Sequence, residues 1–267
     1  MLEALKNHWP EYLKEAWGIA TFMTCASILT TLLVYPESPV SQAVKEPAAK
    51  LALLGIGMGF VIAGIMYSPW GKRSGAHINP AVTWAFYRLG KIKLADAIFY
   101  TIAQFLGAIG AVQIMRLLIG APYRHPSVDH VVTIPGPDGA WAAFAAEFLI
   151  SFILMYVALT AVNDKRLEKW AGAIVGVLLM FYLAVETPFS GMSLNPARTF
   201  GSAFAARKWE GLWVYFTSPM LAMLLAAEIY RRVQKERLEE GPSFPMEAEE
   251  KPGNEGEKPE REATAAA

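Results

Sequence analysis

Six long apolar stretches divide the chain, at residues 17–35, 51–68, 97–115, 140–162, 171–185 and 212–227. Five carry no charge, and the fourth holds one acidic residue, Glu147. The fifth extends toward Pro188 and the sixth runs on through Tyr230. A tilted helix needs about 20 apolar residues to cross the hydrocarbon core, so each stretch predicts a membrane span. Glycines such as Gly55, Gly59, Gly172 and Gly176 recur at four-residue spacing, which suits close packing of helices in lipid. Two shorter segments, 82–89 and 198–206, are too short to span and read as half-helices.

Each half-helix follows a copy of one phrase. The first runs Ser74-Gly75-Ala76-His77-Ile78-Asn79-Pro80-Ala81-Val82-Thr83, and the second Ser190-Gly191-Met192-Ser193-Leu194-Asn195-Pro196-Ala197-Arg198-Thr199. Six of the ten positions are identical without a gap, and the two asparagines lie 116 residues apart, which marks an internal repeat. Asn is a good N-cap, and the following Pro fits the first helical position, where no backbone N–H is needed. If the cap holds the Asn carbonyl oxygen on its own helix end, the amide NH2 remains to donate elsewhere. Three spans and one half-helix precede a second set of the same kind. An odd number of spans per set makes the second copy enter from the opposite face, so the repeats are inverted and their half-helices meet near the midplane. The expected fold is an all-α membrane protein, with six transmembrane helices plus two re-entrant half-helices.

Basic residues orient this bundle. Fourteen, including Lys6, Lys72, Arg88, Lys91, Lys165, Lys169 and Arg231, fall on one set of flanks; six, including Lys45, Arg116 and Lys208, fall on the other. The positive-inside rule then makes both termini cytoplasmic. The first phrase enters from that side and the second from outside. No cleavable leader is evident in the polar residues 1–14. The formal net charge is zero, which argues against nucleic-acid binding. The single cysteine, Cys25, excludes an internal disulfide and a cysteine-rich metal site, and no catalytic constellation is visible in the spans. The stretch from about Gly241 to Ala267, rich in Glu, Pro, Gly and Ala, is expected to be disordered.

The paired phrases, Arg198 after the second and the six spans together resemble the major intrinsic proteins, the aquaporins and glycerol facilitators, over about residues 15–230. The resemblance implies one channel domain, its repeats at about 15–119 and 139–230, between a cytoplasmic N-terminal segment (1–14) and a cytoplasmic acidic tail (231–267). It implies a homotetramer with one pore per subunit in the plasma or cell inner membrane, no cofactor, no metal and no enzymatic activity. Its pore residues map onto Asn79, Pro80, Ala81, Asn195, Pro196 and Ala197. Its outer constriction maps onto Met58, Leu183, Met192 and Arg198. Glu15 and Glu147 are assigned to bracing the re-entrant loops. His77 is read as a loop support in preference to a pH sensor, and Glu186 as either a loop anchor or a lure for cations. His125 and His130 are expected on the surface.

Thr199, Ala203 and the pair Tyr215-Phe216 place the resemblance closer to water channels than to glycerol facilitators. The expected function is passive passage of water with exclusion of ions and protons. The alternative is a channel for glycerol or another small neutral solute such as ammonia or urea. It rests on Leu183, where water-selective members usually carry His, and on two methionines whose flexible thioethers could yield to a larger solute.

Overall fold

The computed structural model describes residues 1–234, and residues 235–267, which include the stretch expected to be disordered, lie outside the described residues. Eight helices build the framework: α1 (Leu2–Val34), α2 (Pro47–Tyr67), α3 (Pro80–Arg88), α4 (Leu94–Leu118), α5 (Ala140–Asn163), α6 (Ala171–Val185), α7 (Pro196–Ala206) and α8 (Leu212–Val233). Six of them are long and apolar enough to cross a membrane, α6 being counted from the short turn at Glu168 that precedes it. The other two, α3 and α7, are the half-helices.

The packing follows the repeat. In the first half α1 lies along α4, and in the second α5 lies along α8, while α2 and α6 pair across the centre. Each half-helix packs on the last span of the other repeat, α3 on α8 and α7 on α4, so the two halves interlock. At 9 and 11 residues, α3 and α7 together measure about 30 Å end to end, close to one hydrocarbon thickness.

Glycine sets the central approach of α2 and α6. A Cβ added at Gly59 would lie 2.6 Å from the Gly176 carbonyl oxygen, and one at Gly55 would lie 2.5 Å from that of Met180. Only hydrogen fits there.

The structure extends the sequence reading at one place and corrects it at a second. The polar residues 2–14, expected to precede the first span, are continuous with it as α1. Ion pairs and hydrogen bonds hold that overhang: Glu11 lies 2.9 Å from Lys14 and 3.3 Å from Arg73, while Tyr12 donates to Asp96 at 2.5 Å. The loop between α4 and α5 is the second place. His130 is buried rather than on the surface, edge-on to the buried ring of Tyr123. Tyr123 in turn bonds Ser27 of α1 at 2.6 Å and donates to the His130 carbonyl at 3.2 Å, so this loop folds inward as a cap. Burial holds the His130 imidazole below its ordinary pKa, against the opposing pull of Asp129.

Candidate functional site

The two Asn-Pro-Ala phrases meet inside the bundle. Asn79 caps α3, its Oδ1 accepting from Ala81 N at 2.9 Å, and Asn195 caps α7 by accepting from Ala197 N at 3.0 Å and Arg198 N at 3.3 Å. The cap leaves each amide nitrogen pointing away from its own helix. Asn79 Nδ2 donates to the Leu194 carbonyl at 2.8 Å, and Asn195 Nδ2 donates to the Ile78 carbonyl at 2.8 Å. The loops are thus cross-linked by a reciprocal pair of hydrogen bonds. An amide NH2 carries two donors, so one N–H per asparagine remains after the crossing bond is made.

The loops reach this geometry through backbone conformations that side chains rarely adopt. Gly75, Ala76 and Ile78 have φ of 87°, 49° and 41°, and their counterparts Gly191, Met192 and Leu194 have 77°, 53° and 61°. Such a conformation costs a residue with a Cβ about 1–2 kcal/mol, so the loops need support. Two buried carboxylates supply it. Glu15 accepts from Ser74 Oγ at 2.7 Å, His77 N at 3.0 Å and Ile78 N at 2.5 Å. Glu147 accepts from Ser190 Oγ at 2.8 Å, Ser193 N at 2.6 Å and Leu194 N at 2.8 Å. Four backbone donors of the strained loops, His77, Ile78, Ser193 and Leu194 N, are therefore paired with a fixed carboxylate.

Gln104 and Tyr100, which the sequence did not single out, complete the support together with Tyr215. Gln104 donates to Glu15 at 2.8 Å and to Thr83 at 3.0 Å. Tyr100 and Tyr215 occupy matching places, donating to the Ser74 carbonyl at 2.8 Å and the Ser190 carbonyl at 2.6 Å. The only sequence signal for Gln104 was an amide inside an uncharged span, a feature it shares with Gln113. Phe216, which follows Tyr215 in the aromatic pair, packs near the rings of Phe105 and Phe200. His77 stacks on Phe86 and its Nδ1 lies 3.2 Å from Thr83 Oγ1, so its ring lies against α3. In the second repeat Ser193 makes the corresponding contact with Thr199, which also bonds Thr133 of the inward-folded loop at 2.8 Å.

A cavity of about 890 Å³ runs from the turns that carry Lys72, Lys91, Lys165 and Lys169 to Asn79 and Asn195. Its walls are mostly apolar, with Ile62, Leu154, Val175 and Leu179 among them. Met58, Leu183, Met192 and Arg198 do not line it. All four are buried, on α2, at the end of α6, in the second phrase and in the first turn of α7. The Arg198 guanidinium keeps one nitrogen, Nη1, without a hydrogen-bond partner among the described residues. Glu186, one residue past α6, is buried as well and is absent from the cavity lining. Among the described residues no cluster of three or more His, Cys, Asp or Glu is placed to hold a metal ion.

Comparison with known proteins gives a consistent family. A family model described as major intrinsic protein matches residues 6–230. Aquaporin NIP1-2 of Arabidopsis thaliana is 34% identical over 193 residues, which cover 71% of this chain and 65% of that one. Nodulin-26 of Glycine max is 34% identical over 183 residues, 68% of this chain and 65% of its own length. Aquaporin NIP2-1 of Oryza sativa subsp. japonica is 33% identical over 212 residues, covering 78% and 69%. The match thus spans just under two thirds of the first two relatives. Among solved structures, the aquaglyceroporin from Plasmodium falciparum superimposes with a TM-score of 0.74 over 88% of this chain and all of that one. At 20% identity that likeness is one of fold.

Proposed function

The chain belongs to the major intrinsic protein family and is an integral, multi-pass membrane protein, and from that premise we propose that it conducts water passively across the bilayer while excluding ions and protons. Members of this family are channels rather than enzymes. The observation that carries the proposal is the crossed pair of asparagine amides at the inner end of the cavity.

The remaining N–H of each amide donates to the oxygen of one water, turning its hydrogens away from the neighbour and interrupting a chain of proton transfers. The N-terminal ends of α3 and α7 add positive potential at the same place, which opposes cations. Apolar walls remove most hydrogen bonds from a passing molecule, a loss that a neutral water tolerates and an ion does not. At the far side, the unpartnered Arg198 Nη1 is a donor for the solute and its charge repels cations. The family setting supports a homotetramer with both termini on the cytoplasmic face of a plasma or cell inner membrane.

A second reading, passage of glycerol or another small neutral solute, is favoured by the composition of the outer constriction. Three of its four assigned residues, Met58, Leu183 and Met192, are apolar, and two of those are flexible. Purified full-length chain in lipid vesicles separates the readings by stopped-flow light scattering. A sucrose shock is expected to shrink the vesicles several-fold faster than protein-free ones; equal rates reject the water reading. After a glycerol shock, re-swelling no faster than in protein-free vesicles is expected of the wild type. Faster re-swelling would transfer the assignment to the second reading. Met192→Ala is expected to admit glycerol while retaining water passage.

A further inference from the structure

Glu186 breaks the symmetry between the two phrases. It stands four residues before Ser190, and the matching place before Ser74 holds Trp70, which is exposed. The first phrase therefore rests on one buried carboxylate, Glu15, whereas the second has two close by, Glu147 and Glu186.

The two are served unequally. Glu147 accepts three hydrogen bonds. Glu186 is only 6% exposed, yet neither of its oxygens has a hydrogen-bond partner among the described residues. The donors that face it are already given elsewhere: Ser190 Oγ–H to Glu147 at 2.8 Å, and Met192 N–H to Ser190 Oγ at 3.1 Å. The ionisable groups around it offer no relief. Glu147 of α5 is a like charge, and Tyr215 of α8 gives its O–H to the Ser190 carbonyl at 2.6 Å. Arg198 of α7 faces Glu147 and Tyr215. The loop between α4 and α5 meets this turn through backbone, Gly136 N donating to the Phe189 carbonyl at 2.9 Å.

Two carboxylates buried side by side do not both ionise, because each charge lacks water and repels the other. Hydrogen-bond donors favour the ionised form, and Glu147 has three where Glu186 has none, so the proton falls to Glu186. A carboxylic acid carries an O–H donor, and Ser190 Oγ, an acceptor for Met192 N, has a second lone pair to receive it. That bond ties the end of α6 to the second phrase, in which Met192 and Leu194 hold positive φ of 53° and 61°.

We propose that Glu186 is a positioning residue of the channel: it carries a proton in the conducting state and steadies, through Ser190, the loop that presents Met192, Asn195 and Arg198, and losing this proton in alkaline solution slows water passage. The effect on passage rests on the channel reading above, whereas the proton on Glu186 does not. The supporting form is the protonated one, so support is complete in acid and lost as pH rises; buried carboxyls titrate as high as about pH 8–9.

Full-length wild type and Glu186→Gln in lipid vesicles, with the same buffer inside and out, are compared by osmotic shrinkage at about pH 6 and about pH 9.5. The wild type is expected to slow several-fold at the higher pH. Glu186→Gln keeps a donor that does not ionise and is expected to conduct at one rate in both buffers. Equal rates in the wild type, or a variant that slows in parallel, would overturn the coupling to passage. Infrared difference spectra between the same pH values read the proton itself. The wild type is expected to show the band of a buried protonated carboxyl that disappears at the higher pH, absent from Glu186→Gln and displaced in Glu186→Asp. No such band in the wild type, or one unchanged in the variants, would overturn the proton on Glu186. If no chain conducts at either pH, the channel reading fails and the infrared band alone decides the proton.

Discussion

Glu147 shows how much one buried side chain carries. Its two oxygens accept three hydrogen bonds from the loop that presents Met192 and Asn195. Glu147→Gln keeps the shape but replaces one acceptor by a donor, which then faces a backbone N–H. A buried donor left unmatched costs about 1–3 kcal/mol. The variant is expected to show a lower thermal midpoint in detergent and reduced water permeability in vesicles; a wild-type midpoint would contradict the bracing role. The capping asparagines were legible because Asn followed by Pro has a single strong local meaning at a helix start. The crossing bonds from Asn79 and Asn195 to the opposite loops were not, since a partner 115 or 117 residues away leaves no mark in local spacing. Gln104 escaped for the same reason: both of its acceptors, Glu15 and Thr83, are distant in sequence.

At the scale of elements, the helices were read from runs of apolar residues, and their ends were set by polar contacts. The first span could be placed from its uncharged core, yet α1 begins at Leu2 because Glu11 and Tyr12 find partners on neighbouring segments. Residues 120–139 carried no periodic signal, and their inward fold depends on Tyr123 and Thr133 meeting Ser27 and Thr199. The glycines of α2 and α6 were visible, but only the structure separates those that permit close approach from those that do not. Gly64 and Gly110 have open space where a Cβ would stand, while Gly59 does not. Gly59→Val is therefore expected to force α2 from α6 and destabilise the fold by about 1–3 kcal/mol. Gly64→Val is expected to leave the melting temperature in detergent within a few degrees of wild type. Equal loss in both variants would contradict the close approach.

The molecule as a whole is two inverted halves joined at their half-helices. The odd number of spans in each half made the inversion legible, and the interlock of α3 with α8 and α7 with α4 gives it mechanical form. The cavity also belongs to this scale, since residues of α2, α3, α5 and α6 share its walls. If it is the inner half of the water path, a bulky side chain in its wall should stop conduction without disturbing the loops. Leu179 on α6 lines the cavity and is absent from the hydrogen bonds that hold Asn79 and Asn195. The decisive measurement is the osmotic shrinkage rate of vesicles carrying wild type or Leu179→Trp at equal protein density. Wild type is expected several-fold above protein-free vesicles and Leu179→Trp close to them. Shrinkage by the wild type that the tryptophan leaves unchanged, or no shrinkage above background in either, would contradict a path through this cavity.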